Sequence, residues 1–167
     1  MTAAATGKIA NSSASDAKVL ARILQEGYGP GAWHGPDFKA ALSDVTSAMA
    51  FWRPAKGRHN IAEIAVHHAY SLRSVRGQLT GGGDKLEPFA LDGEDWFVLS
   101  KESPLKWSDI VGIVATQHEK LEAAVSALGR AGPPKEDVDA FQLVLGVTCH
   151  AVYHAGQVQL IKRLHNN

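Results

Sequence analysis

The chain has 167 residues, 45% apolar and 20% charged, which are the proportions of a soluble domain able to bury one core. Lys+Arg and Asp+Glu are equal at 17 each, so the formal net charge is zero, which argues against a nucleic-acid or membrane-surface partner. No apolar run approaches the roughly 18 residues that a membrane span needs.

Residues 1–15 are small and polar, lack the apolar stretch of a signal peptide, and are expected to be a flexible segment before a single domain over residues 16–167. Ser15 or Asp16 is placed to cap a first helix to about Glu26, with Val19, Leu20, Ile23 and Leu24 facing inward. Gly27-Tyr-Gly-Pro-Gly31 breaks it, and Trp33-His-Gly-Pro36 follows. A short second helix fits Asp37 to Ala48, with Phe38, Leu42 and Val45 on one face, before Pro54 and Gly57 interrupt. Asn60 can cap a long helix that reaches Thr80 and stops at three glycines, with Ile61, Ile64, Leu72, Val75 and Leu79 as its apolar positions. Residues 81–106 form a long connection holding Pro88, Gly93 and Pro104, with Trp96 and Phe97 as expected anchors. A loop of that length in a small domain is more often functional than idle. Ser108 is a reasonable cap for a helix to Leu128, striped by Ile110, Val114, Leu121, Val125 and Leu128. After a turn at residues 129–134, a last helix is expected from about Lys135 to Leu164. Its stripe is Leu143, Val147, His150, His154, Val158 and Ile161. Three long helices and a composite first one predict an all-α four-helix bundle, with a long connection between the second and third bundle helices.

The chemistry concentrates in His150-Ala-Val-Tyr-His154-Ala-Gly-Gln157. Imidazoles four residues apart on a helix lie one turn above the other and point the same way. They fall on an apolar stripe, where histidines need partners, and a divalent cation is one such partner. A third ligand must come from another helix: His118, or one of the adjacent His67 and His68. The stripe Ile61, Ile64, His68, Leu72 and Val75 points His68 at the core. His34 and His59 lie in loops, His34 in one that can reach a bundle end, and His165 is at the chain end. His118 reads as a packed or surface residue. Tyr153 is expected to face a neighbouring helix, and Gln157, one turn after His154, could orient a ligand. Arg73 and Arg76 read as a solvated face that would bind the carboxylates of a thiol if it flanked the site. The single cysteine, Cys149, excludes an intrachain disulfide and suggests a reducing compartment, hence a microbial cytoplasm; about 100° around the helix from His150, it reads as a small buried residue.

Four ordered stretches carry a family resemblance. They are Trp33-His-Gly-Pro36, Trp52-Arg-Pro-Ala-Lys-Gly-Arg-His59, Ile61-Ala-Glu-Ile-Ala-Val-His67 running on to Leu79-Thr-Gly81, and the His150–Gln157 segment. Over about residues 16 to 165 the chain resembles the DinB-like superfamily, which includes the bacillithiol- and mycothiol-dependent transferases. The resemblance implies a four-helix bundle, often homodimeric, that binds a divalent metal through one histidine of its second helix and an HxxxH pair of its fourth. Carried over, the ligands are His67, His150 and His154, with zinc or nickel as the metal. His67 follows Glu63 by four residues and precedes the Leu-Thr-Gly ending by twelve, as the family pattern asks, whereas the apolar stripe favours His68.

A three-histidine cation leaves positions for water or substrate. The resemblance implies thiol S-transfer to a small electrophile, with a low-molecular-weight thiol as cosubstrate. Metal-dependent hydrolysis is the alternative, weakened because no HExxH glutamate is present to act as base. A non-catalytic, stress-related metal-binding module is the third reading.

Overall fold

The computed structural model describes residues 14–82, 86–131 and 138–166. Among the described residues there are six helices and no strand: α1 (Ala14–Tyr28), α2 (Phe38–Leu42), α3 (Ser47–Ala50), α4 (Ile61–Thr80), α5 (Trp107–Ala131) and α6 (Ala140–His165). The N-terminal segment expected to be flexible lies largely outside the described residues.

Local chemistry sets the helix ends, and it shifts several expected boundaries. Ser15 and Asp16 lie within α1, not at its cap, and the helix continues to Tyr28. Leu20 and Leu24 are buried as expected, but Val19 is 54% exposed, and Ala17 takes the inward place instead. The expected helix over Asp37–Ala48 divides in two. Asp37 caps α2, and Thr46 starts α3 by accepting from the Met49 N–H. A Thr cap of this kind competes with helix continuation. Lys162 of α6 reinforces the break by binding the Ala41 carbonyl and the Asp44 carboxylate. Asn60 caps α4, and Gly81 ends it in the left-handed conformation at φ 63°. At the start of α5, the Lys106 N–H donates to Asp109 Oδ2 and Ser108 lies inside the helix. The last helix begins later than expected: Asp139 caps it, and Val138 and Asp139 are not helical. Lys135 lies outside the described residues.

The four long helices form a ring in which α4 packs on α5 and α6, and α1 packs on the same two. Two core clusters give their directions. One holds Tyr28, Ile61, Ile64, Ile110, Val114, Val158 and Ile161, and the other holds Leu20, Leu24, Leu72, Leu79, Leu121, Val125, Leu128, Val144 and Val147. The starts of α4 and α5 therefore share one end of the bundle with the finishes of α1 and α6. So α4 and α5 run parallel, and the chain must return the full length of α4, about 30 Å for its 20 residues, before α5 can begin.

Residues 86–106 make that return, which is the physical reason for the long connection. They run back along α4 in inverse register. Glu87 accepts from Arg73 through its carbonyl (3.0 Å) and binds Arg76 through its carboxylate (2.7 Å). Asp95 lies at His67. The Leu99 N–H donates to Glu63 (3.0 Å), and the Leu99 carbonyl accepts from Asn60 Nδ2 (2.8 Å). Phe97 is buried against Tyr70 and Phe89, as an anchor should be. Trp96 anchors differently, by stacking on histidines.

Candidate metal centre

On α4, His67 and His68 diverge by about 100° as consecutive helical residues must. His68 is fully buried, as its stripe predicts, with its ring edge-on to Phe38. His67 is almost as buried and turns toward α6 and the returning strand of chain. On α6, one turn separates His150 from His154. One ring nitrogen from each of His67, His150 and His154 lies within 4.8 Å of the other two. His150 Nε2 is 2.9 Å from His67 Nε2 and 3.0 Å from His154 Nε2.

Each ring is held from behind. His67 Nδ1 donates to the Asp95 carbonyl (2.9 Å), with the Asp95 carboxylate 3.0 Å away. His154 Nδ1 faces Gln157 Oε1 at 2.6 Å, the orienting role its spacing suggested. His150 Nδ1 meets His68 Nδ1 at 3.1 Å. A carbonyl oxygen can only accept, so neutral His67 and His154 carry their protons on Nδ1 and present Nε2 lone pairs. Those lone pairs converge on a third Nε2, which could donate a proton to only one of them at its best. A cation satisfies all three at once, so the donor set fits a divalent metal of borderline softness.

Electrostatics favours the same state. Burial, helped by the neighbouring imidazoles, pushes His150 down to about 4. Burial also pushes His154 to about 4, against the opposing hydrogen bond to Gln157. His68 is held neutral by burial and by the surrounding histidines, so it can accept the His150 Nδ1 proton.

The other candidates lie apart from this group. His118 is buried and stacks on Tyr28 at 4.2 Å. His34 is exposed and bonds the Glu26 carbonyl at 2.8 Å. His165 packs edge-on against Trp52. Tyr153 lies 5.2 Å from the His154 ring but is 64% exposed, so it faces solvent and not a helix. Cys149 is likewise exposed, against the expectation of burial. Arg73 and Arg76 are engaged by Glu87, away from the three histidines, and do not form a carboxylate-binding mouth.

Sequence reading missed three contributors. Glu63 is 1% exposed and closes a capping box with Asn60, a relation that the Asn-x-x-Glu spacing does advertise. Its carboxylate also takes Arg53 Nη1 (3.0 Å), His59 Nδ1 (3.0 Å) and the Leu99 N–H. Burial alone would raise its pKa, but these hydrogen bonds, Arg53 foremost, hold it low. Asp95 carries no sequence signal, because the returning chain alone brings it to α4; His59 stands just before α4, and its four-residue spacing to Glu63 is the signal that places it.

The model of the DinB superfamily matches residues 32–158. The chain belongs to the DinB superfamily. No curated protein and no solved structure matches it. The all-helical bundle of this DinB member agrees with the expectation drawn from its four motifs. No helix among the described residues is long and apolar enough to cross a membrane.

Proposed function

We propose that His67, His150 and His154 bind one divalent metal ion, zinc or nickel, and that this DinB protein transfers a small thiol to an electrophile. The observation that carries the reading is the convergence of three Nε2 atoms whose opposite nitrogens are already engaged. A bound cation of this kind supplies Lewis acidity that deprotonates a thiol or water. His67, His150 and His154 hold it as neutral donors. Asp95 and Gln157 keep their protons on Nδ1, and His68 accepts from His150. Hydrolysis asks in addition for a base near the attacking water. Glu63, one turn before His67, is committed to Arg53, His59 and two backbone N–H groups, which supports thiol chemistry over hydrolysis. The Asp95 carboxylate, 3.0 Å from His67 Nδ1, lies behind the ring and not on the Nε2 side where such a water would sit.

Zinc content after tag-free purification tests the site. His150→Ala and His154→Ala should each lose the metal and stay folded, and full content in both would reject it. Turnover of a reactive electrophile by zinc-loaded protein, with and without low-molecular-weight thiols, separates the chemistries. Thiol-independent turnover would favour the hydrolase, and stoichiometric metal without turnover in thiol or ester panels would favour a binding module.

We also propose a homodimer through α6. Its outer face exposes Phe141, Leu145, Tyr153, Leu160 and Leu164, and no Asp, Glu, Lys or Arg occurs from Ala140 to Ile161. A face without charge is compatible with its own copy. Sedimentation should give a dimer that Leu160→Glu converts to monomer; a monomeric wild type would rule this out.

A further inference from the structure

The chain that returns along α4 carries a stack of three rings. Trp96 lies between His59 (centroids 3.7 Å apart, planes 13° from parallel) and His67 (3.9 Å, 5°). The outer ring is fixed by His59 Nδ1 on Glu63 Oε2 at 3.0 Å, and Glu63 is itself buried and tied to Arg53, Asn60 and Leu99. The inner ring is His67, whose in-plane direction is set by the Asp95 carbonyl. That carbonyl belongs to a residue at φ 63°, the left-handed conformation that Asp tolerates better than most. One contact alone would leave His67 free to rotate about the line through Nδ1. A parallel indole face at van der Waals separation removes that freedom.

We infer that Trp96 is a positioning residue for the metal: it fixes the plane of His67 so that Nε2 aims at His150 and His154, with Glu63 and His59 backing it from the far side. The inference rests on the metal-binding reading above. Such outer contacts typically change metal affinity 10- to 100-fold. Trp96 is 37% exposed and lies outside both core clusters, so its loss should leave the bundle standing.

The test is competition for zinc against a chromophoric chelator, with thermal melting of each metal-free protein alongside. Trp96→Leu should weaken zinc binding about 10- to 100-fold, with little change in the metal-free melting temperature. Trp96→Phe, which keeps an aromatic face, should restore most of the affinity. His59→Ala, which removes the outer ring and leaves Trp96 in place, should weaken binding several-fold, and it keeps the test alive if the leucine variant fails to fold. Wild-type affinity in Trp96→Leu, or in His59→Ala where the leucine variant cannot be measured, would overturn the inference. So would a Trp96→Phe variant as weak as Trp96→Leu. Absence of zinc binding by the wild-type protein would instead refute the metal reading itself, and so the two failures are distinguishable.

Discussion

The two ends of the bundle are built from the same four helices with different chemistry. One end is lined by leucine and valine from every long helix, among them Leu20, Leu72, Leu121 and Val144. The other mixes aliphatic residues with aromatics such as Phe38 and Phe97, and adjoins buried polar groups: Glu63, His67, His68, His118 and His154. The apolar end has only burial to contribute, and burial tolerates repacking. The histidine end must satisfy nitrogens as well, so it is tied by directional contacts: a capping box, a returning strand of chain, and hydrogen bonds behind each imidazole. Both ends bury apolar side chains, and the histidine end adds the directional contacts that a site needs.

Two substitutions sharpen that contrast, the larger first. Leu121→Ala at the apolar end should cost about 2–5 kcal/mol in denaturant unfolding, since a fully buried leucine leaves a cavity. The folded variant should still take up zinc in full stoichiometry; loss of the metal would mean that the two ends are not separable. The smaller effect is a pH dependence at the histidine end. Burial first, then the Lys39 charge, pushes His118 down to about 4. The unfolded chain, with an ordinary histidine near 6.5, binds the proton first. His118 therefore adds no pH dependence above about 6.5, and its contribution to stability is lost as pH falls from there through about 4. His118→Gln should flatten the acid limb of the stability curve by up to about 1.4 kcal/mol per pH unit in that window. An unchanged slope between the two proteins would remove His118 from the account.

Much of this was legible in the residues because it is local. Asn60 and the glycines after Thr80 bound α4 as read, since caps and left-handed glycines act within one turn. The four-residue spacing of His150 and His154 could only place both rings on one face. The choice between His67 and His68 was a different kind of question. The apolar stripe correctly marks His68 as the more buried, yet the three-nitrogen cluster contains His67. Periodicity reports depth in the core, and ligand geometry depends on where α6 lies, which no pattern along α4 encodes. Burial of single positions failed for the same reason at Val19, Cys149 and Tyr153: each face was assigned without knowing its neighbour.

By itself the sequence determined the helices, their approximate ends, the bundle class and the histidine pair, because hydrogen bonding within a helix and apolar periodicity are short-range. The tertiary structure decided that α4 and α5 run parallel. That one fact sends residues 86–106 back along α4, and it brings Asp95 and Trp96 onto His67 from 28 and 29 positions downstream. Contacts across such separations depend on how whole elements pack, and no local physical rule fixes them in advance.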